Sequence, residues 1–143
     1  MRIRIQPTHP NAVLPEYAHG AEEDAGMDLR AVEDTVLEPG VPRLVATGLT
    51  IAVPPGYEAQ VRPRSGLALR HSITMPNAPG TIDPGYRGEL RVILLNLGRE
   101  AYTVRMGDRI AQMIVARYEA VEWDAGELPE SSRGAGGFGS SGR

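Results

Sequence analysis

Proline and glycine interrupt this chain so often that no long helix can form. The 143 residues include 12 Pro and 17 Gly. Pro lacks the helical N–H and Gly loses the most backbone entropy, so each breaks a helical run. Between them lie short runs of alternating apolar and polar residues, the period of a half-buried strand. "RIRIQ" (2–6) sets Ile3 and Ile5 on one face. "LVATGLTIAVPPG" (44–56) does the same with Leu49, Ile51 and Val53, and ends in a Pro-Pro-Gly turn. "YEAQVRPR" (57–64) places Ala59 and Val61 opposite Gln60 and Arg62. "ELRVILLNL" (89–97), "YTVRM" (102–106) and "RIAQMIVARY" (109–118) complete the set. Many short strands with turns between them predict an all-β sandwich or barrel.

The one helix candidate is "SGLALRHS" (65–72), with Ser65 as its cap and Gly66 as its first residue. A chain of this length is one domain. Residues 1–123 form the core, and 124–143 form a linker and glycine-rich C-terminal arm with no periodicity. Residues 92–95 and 113–115 are apolar on both faces. One face packs the core. The other is expected to pack a second subunit, or else to be covered by the chain's own loops.

The chain has no Cys, which excludes disulfides, thiolate zinc sites and a cysteine nucleophile and fits the cytoplasm. No apolar run is long enough for a spanning helix, so no membrane partner is expected. A net charge of -3 argues against a nucleic-acid coat. All 15 basic residues are Arg, which removes any Walker or Schiff-base lysine. What remains are guanidinium forks, suited to bidentate grip on phosphate or carboxylate. The three histidines, His9, His19 and His71, form no metal spacing, so acid–base chemistry falls to carboxylates.

Five stretches can carry chemistry. "VRPRSGLALR" (61–70) brings Arg64 and Ser65 to a strand-to-helix corner, where free N–H groups suit an anion or simply begin a capped helix. "NAPGTIDPGYRGEL" (77–90) reads as a hairpin folded back on itself, with Asp83 near its tip and the flat ring of Tyr86 beside it. There Asp83 can activate water or merely close a turn. In "AGMDLRA" (25–31), Asp28 sits among small and apolar neighbours and requires a partner or a wet face. In "MGDRIAQMIV" (106–115), Gln112 shares its face with Ile110 and Ile114 and needs a partner from protein or ligand. The tail "SSRGAGGFGSSGR" (131–143) holds the chain's one Phe, Phe138, among glycines. It can wrap a phosphorylated ligand or remain a solvated tail.

In this order, "AGMDLRA", "RPRSGLA", "NAPGTIDPGYRGEL", "GDRIAQMIV" and "RGAGGFGSSG" resemble the motifs of the trimeric dUTPase family, over nearly the whole chain. The resemblance implies a distorted jelly-roll-like β fold and a homotrimer with shared active sites. It implies hydrolysis of dUTP to dUMP and pyrophosphate, which supplies dUMP for dTMP synthesis and keeps uracil out of DNA. It also implies a role for each residue. Asp83 activates the attacking water and contacts the sugar. Asn77, with the backbone through Gly80, Thr81 and Ile82, reads uracil. Tyr86 lies under the deoxyribose. Arg64, Ser65, Gly66 and Gln112 contact phosphates, and Arg91 lies on the substrate side. Arg133 clamps the γ-phosphate. Phe138 stacks on uracil, with Gly139 and Ser140 beside it in the closing arm. Asp28 is an outer-shell partner of Mg2+, through water. A dCTP deaminase of the same fold is the alternative, although the hairpin lacks a Glu beside the base reader.

Overall fold

The computed structural model describes residues 1–138 and 140. Among these residues the elements are eleven strands and one helix. The four-stranded sheet that carries Asp28, Gly80, Thr81, Ile82 and Gln112 joins distant segments in the order β2 (Met27–Arg30), β11 (Arg109–Arg117), β6 (Tyr57–Arg62) and β8 (Gly80–Ile82). A three-stranded sheet orders β4 (Arg43–Ala46), β9 (Arg91–Asn96) and β7 (Ile73–Thr74). Two antiparallel pairs close the core, β1 (Arg4–Pro7) with β5 (Leu49–Ala52), and β3 (Thr35–Leu37) with β10 (Tyr102–Val104). All these pairings are antiparallel. The result is all-β with one short helix, as the Pro/Gly punctuation predicts.

Alternation sets the inner faces. Leu49, Ile51 and Val53 are buried, as are Ala59 and Val61 on β6. They meet Leu29, Val92, Leu94 and Met113 in one core. Two buried polar side chains sit in that core and both are satisfied. Thr47 donates to the Leu90 carbonyl, and Asn96 donates to Leu37 and Glu100 while accepting from Gly98. Pairing such groups avoids the desolvation cost of an orphaned donor or acceptor.

Several details depart from simple alternation. The run 44–56 is two strands, because Gly48 turns with φ +63° while its amide donates to Glu89. β11 shifts register between Arg109 and Ala111, so that Ile110 and Ala111 are both buried. Gln112 therefore does not share a face with Ile110 in the expected way. The second faces of β9 and β11 are half-covered: Ile93, Leu95, Ile114 and Val115 are of intermediate burial. The helix α1 (Ser65–His71) begins one residue earlier than expected, with Arg64 in the cap position and no side-chain cap bond. Among the described residues no helix is long and apolar enough to cross a membrane.

Candidate active site

The corner after β6 is where charge concentrates. β2 and β6 flank β11, and Gln112 lies opposite both Asp28 and Arg62. Asp28 thus lies across β11 from Arg64, and its carboxylate reaches two guanidiniums. Oδ1 lies 3.0 Å from Arg64 Nε, and Oδ2 lies 3.2 Å from Arg109 Nη1. Arg64 Nη1 also donates to the Arg109 carbonyl at 3.2 Å. The pairs fix Arg64 in direction, because Nε faces Asp28 and Nη1 faces β11. Gln112 Nε2 donates to the Pro63 carbonyl at 3.0 Å. Its amide lies so close over Gly26 that a Cβ there would stand 2.6 Å from Gln112 Oε1. Beside these groups, helix geometry leaves the Ser65 and Gly66 N–H groups without intrahelical partners. The corner thus offers one balanced carboxylate, two guanidiniums, an amide and outward N–H groups to an anion.

The stretch 77–90 is not the self-folded hairpin the turn residues suggested. Its central strand β8 pairs with β6 instead: Gly80 with Val61, Thr81 with Gln60, Ile82 with Ala59. Tight turns flank it, closed by Ala78 N–H on Met75 O at 3.1 Å and by Tyr86 N–H on Asp83 O at 3.1 Å. Asn77 is exposed, with its amide close over Gly80. Asp83 is exposed, and among the described residues its carboxylate has no ion-pair partner. Tyr86 Oη donates to the Glu89 carbonyl at 2.9 Å, which folds the ring back over Gly88. Arg62, Pro63, Ala78, Pro79 and Gln112 line the open cleft between this stretch and the anion corner.

The remaining expected residues lie apart. Arg91 is exposed at the start of β9, with Nε 3.6 Å from Glu89 Oε2. Arg133 is exposed, and its Nε donates to Gly136 O within the arm at 2.7 Å. Phe138 has no cover at all, and Ser140 N–H returns to Gly137 O. Gly139 and Ser141 lie outside the described residues. Motif reading missed Arg109, Gly26 and Gly88. The string "GDRIAQ" does place Arg109 three residues before Gln112, but its partner Asp28 is 81 positions away.

Among the described residues no three His, Asp or Glu side chains cluster to cage a metal. Oxygen donors of this kind suit a magnesium carried mainly by phosphate oxygens and water, and Asp28 is the carboxylate at the corner. An apolar cavity lined by Ile3, Ile5, Leu14, Met27 and Met113 lies elsewhere and lacks such groups.

The fold is that of a jelly-roll-like β protein, and the chemistry of its arginine-rich corner suits an anionic ligand. Comparison with known proteins sharpens that class. The family model described as dUTPase matches residues 13–142. Deoxyuridine 5'-triphosphate nucleotidohydrolase of Solibacter usitatus is 79% identical over 143 residues, covering 100% of this chain and 97% of that protein. The protein of the same name from Wolinella succinogenes is 51% identical over 144 residues, covering 100% and 95%. Among solved structures, a Staphylococcus bacteriophage 80alpha dUTPase with dUpNHpp superposes with a TM-score of 0.86 at 28% identity, covering 99% of this chain and 98% of that one. The dUTPase of phage phi11 of S. aureus, described with a structural Mg(II) ion, shares the fold, with a TM-score of 0.82 at 24% identity over 90% and 98% of the two chains. The chain belongs to the dUTPase family, and it is an enzyme.

Proposed function

We propose that this enzyme hydrolyses dUTP to dUMP and pyrophosphate by in-line attack of water on the α-phosphorus, with Asp83 as the base. The observation that carries the reading is the state of that carboxylate. It stands exposed on a turn fixed by its own backbone, while Asp28 is consumed by two arginines. One aspartate is thus free to hold and deprotonate a water, and the other organises the phosphate corner. Asn77 and the edge of β8 read uracil, with Gly80, Thr81 and Ile82 supplying backbone groups. Tyr86 walls the sugar. Arg64, Ser65, Gly66 and Gln112 receive the phosphates. The arm, 124–143, closes with Arg133 on the γ-phosphate and Phe138 on the base. Arg91 lies at the margin. Magnesium on the triphosphate, with Asp28 in its outer shell, would screen charge. The products follow: dUMP for dTMP synthesis, and a pool that keeps uracil out of DNA.

The spacing of the two halves supports a site shared between copies of the chain. Ile82 pairs with Ala59, and Gln112 pairs with Arg62, three residues further along β6. Asp83 lies one residue beyond Ile82, so it is separated from Gln112 by roughly 13 Å along the strand and about 10 Å across two strand spacings. One α-phosphate does not reach both within one chain. A homotrimer whose cytoplasmic copies each lend one half resolves the distance.

Pyrophosphate release across dUTP, dTTP, dCTP and UTP tests the reading. Asp83→Asn should lose most turnover and still bind dUTP. Near-normal turnover in that variant, or ammonia release from dCTP, would overturn it.

A further inference from the structure

We propose that Gly88 determines sugar specificity, by keeping open the space in which the Tyr86 ring lies. The inference rests on the reading of Tyr86 as the wall against the deoxyribose.

The geometry singles out this glycine for a reason other than backbone freedom. Its φ lies outside the left-handed region, so alanine can adopt the same backbone. A Cβ at 88 would nevertheless stand 2.6 Å from Tyr86 Cζ and 2.9 Å from Cε2, and would press on Tyr86 Oη as well. The three nearest atoms all belong to that one ring. Something must move, and the surroundings decide what. Downstream, Gly48 N–H donates to Glu89 Oε1 at 2.8 Å and Leu90 N–H donates to Leu49 O at 2.7 Å. The Thr47 hydroxyl donates to Leu90 O, and Leu90 itself is buried. Upstream, the Asp83–Tyr86 turn holds the backbone of Tyr86. Both ends of the loop are stitched down, whereas the ring is 41% exposed on two rotatable bonds. A methyl at 88 therefore turns the ring outward and breaks the Oη bond to Glu89, with the fold intact.

Once the ring swings out, the wall that a 2′-hydroxyl would strike is gone. A ribonucleoside triphosphate of the same base then fits. Steric rejection of an added hydroxyl by an apolar wall is worth roughly 100-fold in kcat/KM. Gly88→Ala should remove a large part of it, lowering the dUTP-to-UTP ratio of kcat/KM by about tenfold or more.

The experiment compares Gly88→Ala, Tyr86→Phe, Tyr86→Ala and Gly88→Ala/Tyr86→Ala, by pyrophosphate release from dUTP and UTP and by thermal unfolding. We expect Gly88→Ala to melt with the parent and to lose discrimination. In the Tyr86→Ala background the same change should have no further effect. Tyr86→Phe keeps the ring but loses its Glu89 anchor, and should show a smaller loss. A Gly88→Ala variant that fails to fold overturns the inference, since the ring would then not have yielded to the methyl. If Tyr86→Ala leaves the ratio unchanged, the reading of Tyr86 falls and the inference with it. If Tyr86→Ala lowers the ratio while Gly88→Ala does not, the reading stands and the inference is overturned. An effect of Gly88→Ala that persists undiminished without the Tyr86 ring also overturns it.

Discussion

Asp28→Asn is the substitution whose consequence can be worked most directly from distances. The carboxylate meets Arg64 at 3.0 Å and Arg109 at 3.2 Å. Its side chain is 15% exposed, while those of its partners are 27% and 44% exposed. Solvent on the arginines places each pair near the top of the surface range, about 1 kcal/mol, well short of a buried charge pair. Two such pairs give about 2 kcal/mol. Without the carboxylate, Arg64 and Arg109 also face one another as like charges, since Arg64 still leans on the Arg109 carbonyl. Urea unfolding of the parent, Asp28→Asn, Arg109→Gln and the double variant closes a thermodynamic cycle. All four must be measured at one protein concentration, because the proposed assembly would make apparent stability concentration-dependent. Asp28→Asn should lose about 2 kcal/mol, with a coupling to Arg109 of about 1 kcal/mol. About 1 M salt, with a screening length near 3 Å, should narrow the gap. A coupling below about 0.3 kcal/mol that ignores salt would show the cluster to be incidental.

Two further outcomes follow from features away from that cluster. Deleting 133–143 should leave unfolding unchanged and lower dUTP turnover by roughly 10- to 100-fold, the scale of one charge-assisted hydrogen bond removed from the closed state. Full activity in the truncated enzyme would return the arm to a passive tail. Asp34 is held below the usual carboxylate range by the Met106 N–H, then by Arg105. A lowered folded value stabilises above the unfolded value and loses that effect as pH falls through the folded one. Asp34→Asn should thus be less stable than the parent at about pH 7, and the gap should close as pH falls below the ordinary carboxylate range, in urea titrations. A gap that stays constant with pH would contradict this.

Strands were legible because alternation and punctuation are local. Leu49, Ile51 and Val53 announce their inner face within five residues, and all three are buried. Pairing was less legible, because a strand's partner is not written beside it. Thr81 sits between two turn dipeptides and looks like part of a closed hairpin, yet its neighbour is Gln60. The bulge after Arg109 shows a second limit: one shifted residue turns both Ile110 and Ala111 inward, and counting by twos then fails. Arg109 escaped notice for the same non-local reason, since its role exists only where β11 meets β2. The glycines at 26 and 88 carry no signal of their own in sequence. In space they are gaps that Gln112 and Tyr86 occupy.

The arm can also be considered as a tethered ligand. Its described hydrogen bonds, from Arg133 to Gly136 and from Ser140 to Gly137, stay within the arm. The ten steps of chain from Trp123 to Arg133 span at most about 35 Å, and as a flexible coil average about 17 Å. Over that range the free end samples its surroundings at roughly millimolar effective concentration. On the proposed closure, a weak grip by Arg133 and Phe138 would be enough for frequent shutting and equally frequent release. Spacer length, more than the strength of the grip, would then set how often the arm is closed.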